Sequence, residues 1–158
     1  MDEARAANAL TLAGAIPFVA LMLLTLGDGY SLRVDISTVF LMLYASAILS
    51  FLGGIRFGME VREPGPGAAA NLAWSVVPSL LAWGLTGLTY LAVIGGNAGF
   101  VGWGFALFAL CFVLQYLWDA ASVRAGEAPK WYRPMRARIT LVVVPTLVIA
   151  AFAAWAHY

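Results

Sequence analysis

Three residues in an otherwise apolar chain carry chemistry that a membrane makes costly: Arg56, Gln115 and Asp119. Arg56 stands near the end of residues 44–58, YASAILSFLGGIRFG. A guanidinium at or near membrane depth must snorkel to the interface or find a partner. Gln115 and Asp119 are four apart, and with Phe108 and Cys111 they define one helix face that turns polar only in its last turns. A bridge from Arg56 to Asp119, with Gln115 and Ser50 beside it, would make an occupied polar pocket. The other arrangement has Arg56 snorkelling, Asp119 marking a helix end, and Glu60 supplying a weak surface pair one turn after Arg56.

Catalytic chemistry has little to work with. Cys111 is the single cysteine and His157 the single histidine, so one chain assembles neither a His/Cys zinc site nor an assured Cys-His dyad. HExxH, a pair of intramembrane aspartates, a Ser-His pair and GxxxxGK[ST] are absent from the sequence. The expectation is a protein that is not an enzyme, with no cofactor and no metal. A net charge of +1 argues against a nucleic-acid footprint.

The elements that must position these side chains are membrane helices. With 63% hydrophobic and 11% charged residues in 158, the composition is that of a polytopic membrane protein in one domain. The apolar runs predict an all-α bundle of five transmembrane helices at about 9–26, 38–57, 72–94, 98–118 and 139–155. Residues 9–26 are too long for a signal-peptide core and read as a retained helix. Pro17 predicts a kink there, freeing the carbonyl of Ala13. Gly95-Gly96-Asn97 predicts a tight turn between antiparallel third and fourth helices. Residues 119–138 hold five of the nine basic residues and read as a long loop.

Charge asymmetry orients the bundle. Arg5, Arg56, Arg62, Arg124, Lys130, Arg133, Arg136 and Arg138 fall on one side and only Arg33 on the other, which predicts the N-terminus inside and the C-terminus outside a bacterial inner membrane. In a mitochondrial inner membrane, inside would be the matrix. Lys130, Trp131, Tyr132, Arg133, Arg136 and Arg138 suit lipid headgroups. Pro17, Pro78 and Pro145 lie in the inner half of their crossings, and such irregular backbone is tolerated where protein or a water-filled cavity satisfies it. This suggests an inward-facing vestibule lined by Ser50, Arg56, Trp74, Pro78, Gln115, Tyr116 and Asp119, against the alternative of simple kinks. Trp83 is placed deepest of the tryptophans and is a further ligand-contact candidate. Ser46, Ser50, Gly54 and Gly58 form a small-residue stripe suited to packing within the chain or to a homodimer seam.

GAIPF at 14–18, SFLGGIRFG at 50–58, WSVVPSLLAW at 74–83 and the stretch 119–140 with APKWYRPMRARIT resemble a bacterial and mitochondrial family, domain of unknown function 3429, the transmembrane protein 69-like proteins. The resemblance spans nearly the whole chain. It implies a small five-helix inner-membrane protein, brings no activity, and marks Pro17, Gly53, Gly54, Trp74, Pro78, Asp119, Trp131, Tyr132 and Arg136 as signature positions. Size, five crossings and tryptophan abundance also resemble the tryptophan-rich sensory and translocator family, which binds tetrapyrroles and sterols; no motif is matched residue by residue, so this is an analogy. The leading expectation is a binding or assembly module for a membrane complex or a small apolar ligand, in contact with the bilayer and with a membrane-protein partner or a second copy. The alternatives are a small carrier or channel using the polar cluster, and a tetrapyrrole or sterol receptor.

Overall fold

The architecture, seen in a computed structural model that describes residues 9–27, 36–62, 64 and 67–157, is all helical. Residues 9–13 form a short helical stretch that breaks at Gly14-Ala15 and resumes as α1, Ile16–Gly27. The break lies just before Pro17, as a ring without an N–H demands. Tyr44 Oη donates to the carbonyl of Gly14 at 2.9 Å, so the disrupted backbone is satisfied from the neighbouring helix. Four longer helices follow: α2, Ile36–Arg62; α3, Ala68–Ile94; α4, Phe100–Ala125; and α5, Tyr132–His157. Each of the five segments is long and apolar enough to cross a membrane.

Helix ends explain where the sequence reading fell short. The run after Gly58 contains no proline until Pro64, so α2 continues to Arg62. Three alanines, strong helix formers, start α3 directly after Gly67, whose φ of 84° suits only glycine well. The largest difference is at residues 119–138. DAASVRA extends α4 until Gly126, which takes φ 82° and caps the helix, with backbone N–H groups reaching Ser122 and Val123 carbonyls. Because α5 already begins at Tyr132, the connection is residues 126–131 rather than a twenty-residue basic loop.

Consecutive helices are neighbours, and α1 also packs against α5, so the five close into a ring in chain order. α2 and α4 touch across its middle. The core lies there: Phe18, Leu41, Leu49, Phe105, Phe108, Phe112, Val143 and Leu147 are buried, and Phe18 meets Tyr44 and Phe112 edge-on. The outer surface carries exposed Leu, Ile, Val, Phe and Trp side chains from every helix, as a lipid-facing shell requires.

The tightest α2–α3 approach is made beside the expected stripe, whose Ser50 carbonyl accepts from Ser79 Oγ of α3 but whose glycines make no such approach. A Cβ on Gly53 would stand 2.5 Å from the Ser75 carbonyl and against Pro78, so this glycine sets the α2–α3 approach. Gly54 and Gly58 have nothing within 4 Å of a Cβ and face outward. One residue of helix rotation, about 100°, separates the two faces.

A polar centre and an apolar cavity between α2, α3, α4 and α5

Asp119 is on α4, fully enclosed at 0% exposure, and it does not pair with Arg56. Its Oδ2 accepts from Nε of Arg136 at 2.7 Å, a buried contact between α4 and α5. This overturns the expected Arg56–Asp119 bridge. The physical reason is the early start of α5: Arg136, read as a headgroup residue in a loop, lies one turn inside a helix and faces α4. Tyr132, one turn earlier, is likewise turned inward and buried. Neither side chain is placed to meet headgroups, whereas Lys130, Trp131, Arg133 and Arg138 are exposed. A four-residue spacing from Tyr132 through Arg136 to Thr140 was the signal for this inward stripe.

Arg56, at 8% exposure, is accommodated differently. Its guanidinium lies over the Trp118 ring, 4.6 Å from the centroid, and Nη2 is 3.7 Å from Oε2 of Glu127. Glu127 is 54% exposed and the contact is long, so the tryptophan face carries more of the arrangement. Glu60, the alternative partner from the sequence, accepts from Asn71 Nδ2 at 3.1 Å. Ala128, Tyr132 and Met135, with Ile55, Met59 and Val123 against them, form a second small core that closes this end of the bundle.

Gln115 connects the polar centre to a cavity. Its Nε2 donates to Asp119 Oδ1 at 3.4 Å, while its side chain lines a space of about 290 Å³ between α2, α3 and α4. Leu49, Val77, Pro78, Cys111 and Trp118 contribute further walls, and exposed Trp74, Leu81 and Leu114 leave the space half open at the outer surface of the bundle. The volume is near the lower end of small-molecule pockets, roughly 300 Å³ upward. Of the expected site residues, Trp74, Pro78 and Gln115 therefore meet in one cavity. Arg56 adjoins it through Trp118, and Asp119 stands behind Gln115. Ser50 is half-buried, its carbonyl accepting from Ser79 Oγ at 3.5 Å, and Tyr116 is half-buried outside the lining.

Trp83 is the clearest displacement. It is 78% exposed on the outer face of α3, because the inward line of that helix is Ser75, Pro78, Ala82 and Thr89. Depth along the membrane and burial within the protein are separate coordinates, and hydropathy reports only the first. Trp118 was missed as a wall, although Cys111, Gln115 and Trp118 recur at i, i+4 and i+7.

A family model described as a protein of unknown function, DUF3429, matches residues 4–152. The chain belongs to the DUF3429 family. This DUF3429 protein is 36% identical over 157 residues to transmembrane protein 69 of Xenopus tropicalis, across 93% of its own length and 54% of the relative's. It is 29% identical over 152 residues to transmembrane protein 69 of Mus musculus, across 94% and 56% respectively. The chain thus spans about half the length of the curated relatives it matches. No solved structure matches the DUF3429 chain.

Three buried polar atoms in this DUF3429 protein have no hydrogen-bond partner among the described residues: Tyr132 Oη, Arg136 Nη2 and Thr140 Oγ1. All three project from the inward stripe of α5. Chemically, the centre is an ion pair that orients an amide, with spare hydrogen-bonding capacity behind it and an apolar chamber in front.

Proposed function

We propose that the protein is a membrane-embedded binding module, not an enzyme, that holds a small apolar molecule in the cavity between α2, α3 and α4. The observation that carries this reading is the buried amide of Gln115, fixed by the Asp119–Arg136 pair at the edge of a chamber otherwise walled by apolar and aromatic side chains. An apolar pocket with one or a few placed polar groups is the usual form of a ligand site. Enclosure of Asp119 favours holding over conducting, since a polar waypoint for a carrier must meet water in turn from each side.

The same reading sets the chain in a bacterial cytoplasmic membrane with its N-terminus inside and its C-terminus outside. Exposed Arg62, Arg124, Lys130, Arg133 and Arg138 support the orientation by gathering at one end of the helices. Arg5 and Arg33, which also entered the charge count, lie outside the described residues. Lys130, Trp131, Arg133 and Arg138 contact headgroups on that side.

A second reading, a subunit that helps assemble a larger membrane complex, rests on α3. Only Ser75, Pro78, Ala82 and Thr89 of that helix are buried, and Trp83, Leu88, Tyr90 and Leu91 are among the side chains left on its outer face.

Native mass spectrometry of protein taken from its own membrane into nanodiscs separates these readings. A retained small molecule, lost when Val77→Trp fills the cavity and kept in Trp83→Ala, is the expected result. A partner chain lost in Trp83→Ala would favour assembly, and a bare monomer throughout would overturn both.

A further inference from the structure

Gln115 sits in the cavity with its hydrogen-bonding direction already chosen. Asp119 Oδ2 is taken by Arg136 Nε, and a carboxylate so paired offers only acceptors at Oδ1. The amide must therefore turn its NH₂ toward Asp119, and Nε2 lies 3.4 Å from Oδ1. The opposite flip would set oxygen against oxygen beside an enclosed charge. Oε1 is consequently left on the other branch of the amide. No described residue donates to it. The space that Gln115 borders is the cavity.

The facing wall carries a carbonyl that lacks its usual helix donor. Pro78 has no N–H to give to the carbonyl of Trp74 one turn earlier, and both residues line the cavity on α3. The lining also holds indole donors. Trp74 is 63% exposed at the cavity's outer edge; Arg56 lies over the Trp118 ring face, which leaves the in-plane N–H of that indole able to donate; Gln115 is the buried amide of the lining. The buried side-chain polar group of the lining is thus the Gln115 amide, with its acceptor half turned away from Asp119.

We infer that the molecule bound here carries a hydrogen-bond donor, an O–H or N–H at the end of an apolar body, which the side-chain carbonyl of Gln115 accepts. This rests on the binding reading above and narrows its ligand class to alcohol-like or amine-like apolar molecules, held at Gln115 in preference to those whose only polar group is an ether or carbonyl oxygen. An ether or carbonyl would leave Oε1 unmatched and bring a second lone pair toward it, and a site built to pair with a donor discriminates against the analogue that lacks one.

The test uses the full chain in detergent micelles with three probes of nearly equal apolar body: farnesol, farnesyl methyl ether and farnesal. Native mass spectrometry reads their affinities. Farnesol is expected to bind roughly three- to tenfold more tightly than the ether or the aldehyde, the worth of one net hydrogen bond. In Gln115→Met, where the acceptor is gone and the side chain is of similar length, the preference is expected to vanish while ether binding persists, which also cancels differences in micelle partitioning. Equal binding of all three to the wild type would overturn the donor inference and leave the binding reading standing. Binding of none would overturn both. If Gln115→Met does not fold, Val77→Trp, which fills the cavity, supplies the control in its place, and a farnesol preference that survives there would overturn the inference.

Discussion

Arg136 Nε lies 2.7 Å from Asp119 Oδ2, and this contact ties α4 to α5 in the polar interior near the basic end of the bundle. Both side chains are out of reach of solvent, so each neutralises a charge that would otherwise be stranded. Their value lies in mutual dependence more than in net stability, because replacing a buried pair together is often neutral while removing one partner is not.

Loss of either partner is therefore expected to be severe. Asp119→Leu or Arg136→Met alone should cost about 3–5 kcal/mol, and the double variant should recover much of that loss. Thermal unfolding in detergent, followed by intrinsic tryptophan fluorescence, measures the cycle; two independent, additive losses would mean that the residues are not coupled.

Arg56 is held mainly by an aromatic face. Trp118→Leu is expected to destabilise by about 1–2 kcal/mol beyond the lost apolar contact, and Glu127→Gln by no more than about 1 kcal/mol. Raising salt should change the stability of the wild type little through this residue, since a cation over a ring in a half-enclosed setting is screened less than an exposed ion pair. A Glu127→Gln loss larger than the Trp118→Leu loss would reverse this ranking.

Adjacent glycines should behave oppositely. Gly53→Ala places a methyl group 2.5 Å from the Ser75 carbonyl, forcing α2 and α3 apart at a cost of about 1–3 kcal/mol. Gly54→Ala meets open space and should be neutral or slightly stabilising, because alanine is the better helix former. Comparing melting temperatures of the two variants is sufficient, and equal effects would place the close approach elsewhere.

Topology is open to direct labelling. In a Cys111→Ala background, a cysteine at Lys130 is expected to react with a membrane-impermeant maleimide only after the membrane is opened, and one at Gly96 to react in intact cells. The reverse pattern would invert the bundle without changing any contact within it.

How much of this was legible in advance follows from what each feature depends on. Five apolar runs and the glycine turn at Gly95-Gly96 are local, set by side-chain transfer into lipid and by backbone freedom, and the helices formed where those runs stand. Trp74, Pro78 and Gln115 were found as candidates because a proline and an amide inside apolar segments are conspicuous on composition alone. Trp118 is not legible as a wall because a tryptophan near a helix end is the default interfacial anchor, and Trp83 stands out in the sequence because hydropathy measures depth and is blind to rotation about the helix axis.

The partner of Asp119 belonged to the second kind of question. By itself the sequence determined that an acidic residue and an arginine stand at the ends of apolar crossings, where each must be paired or reach the interface, and it left open whether Asp119 pairs or only marks a helix end. Which arginine meets Asp119 depended on where α5 begins and on the rotation that turns residues 132, 136 and 140 toward α4. Only the tertiary structure decided that, since basic residues at a membrane boundary satisfy hydropathy equally well as a loop in headgroups or as the first turns of a helix facing inward.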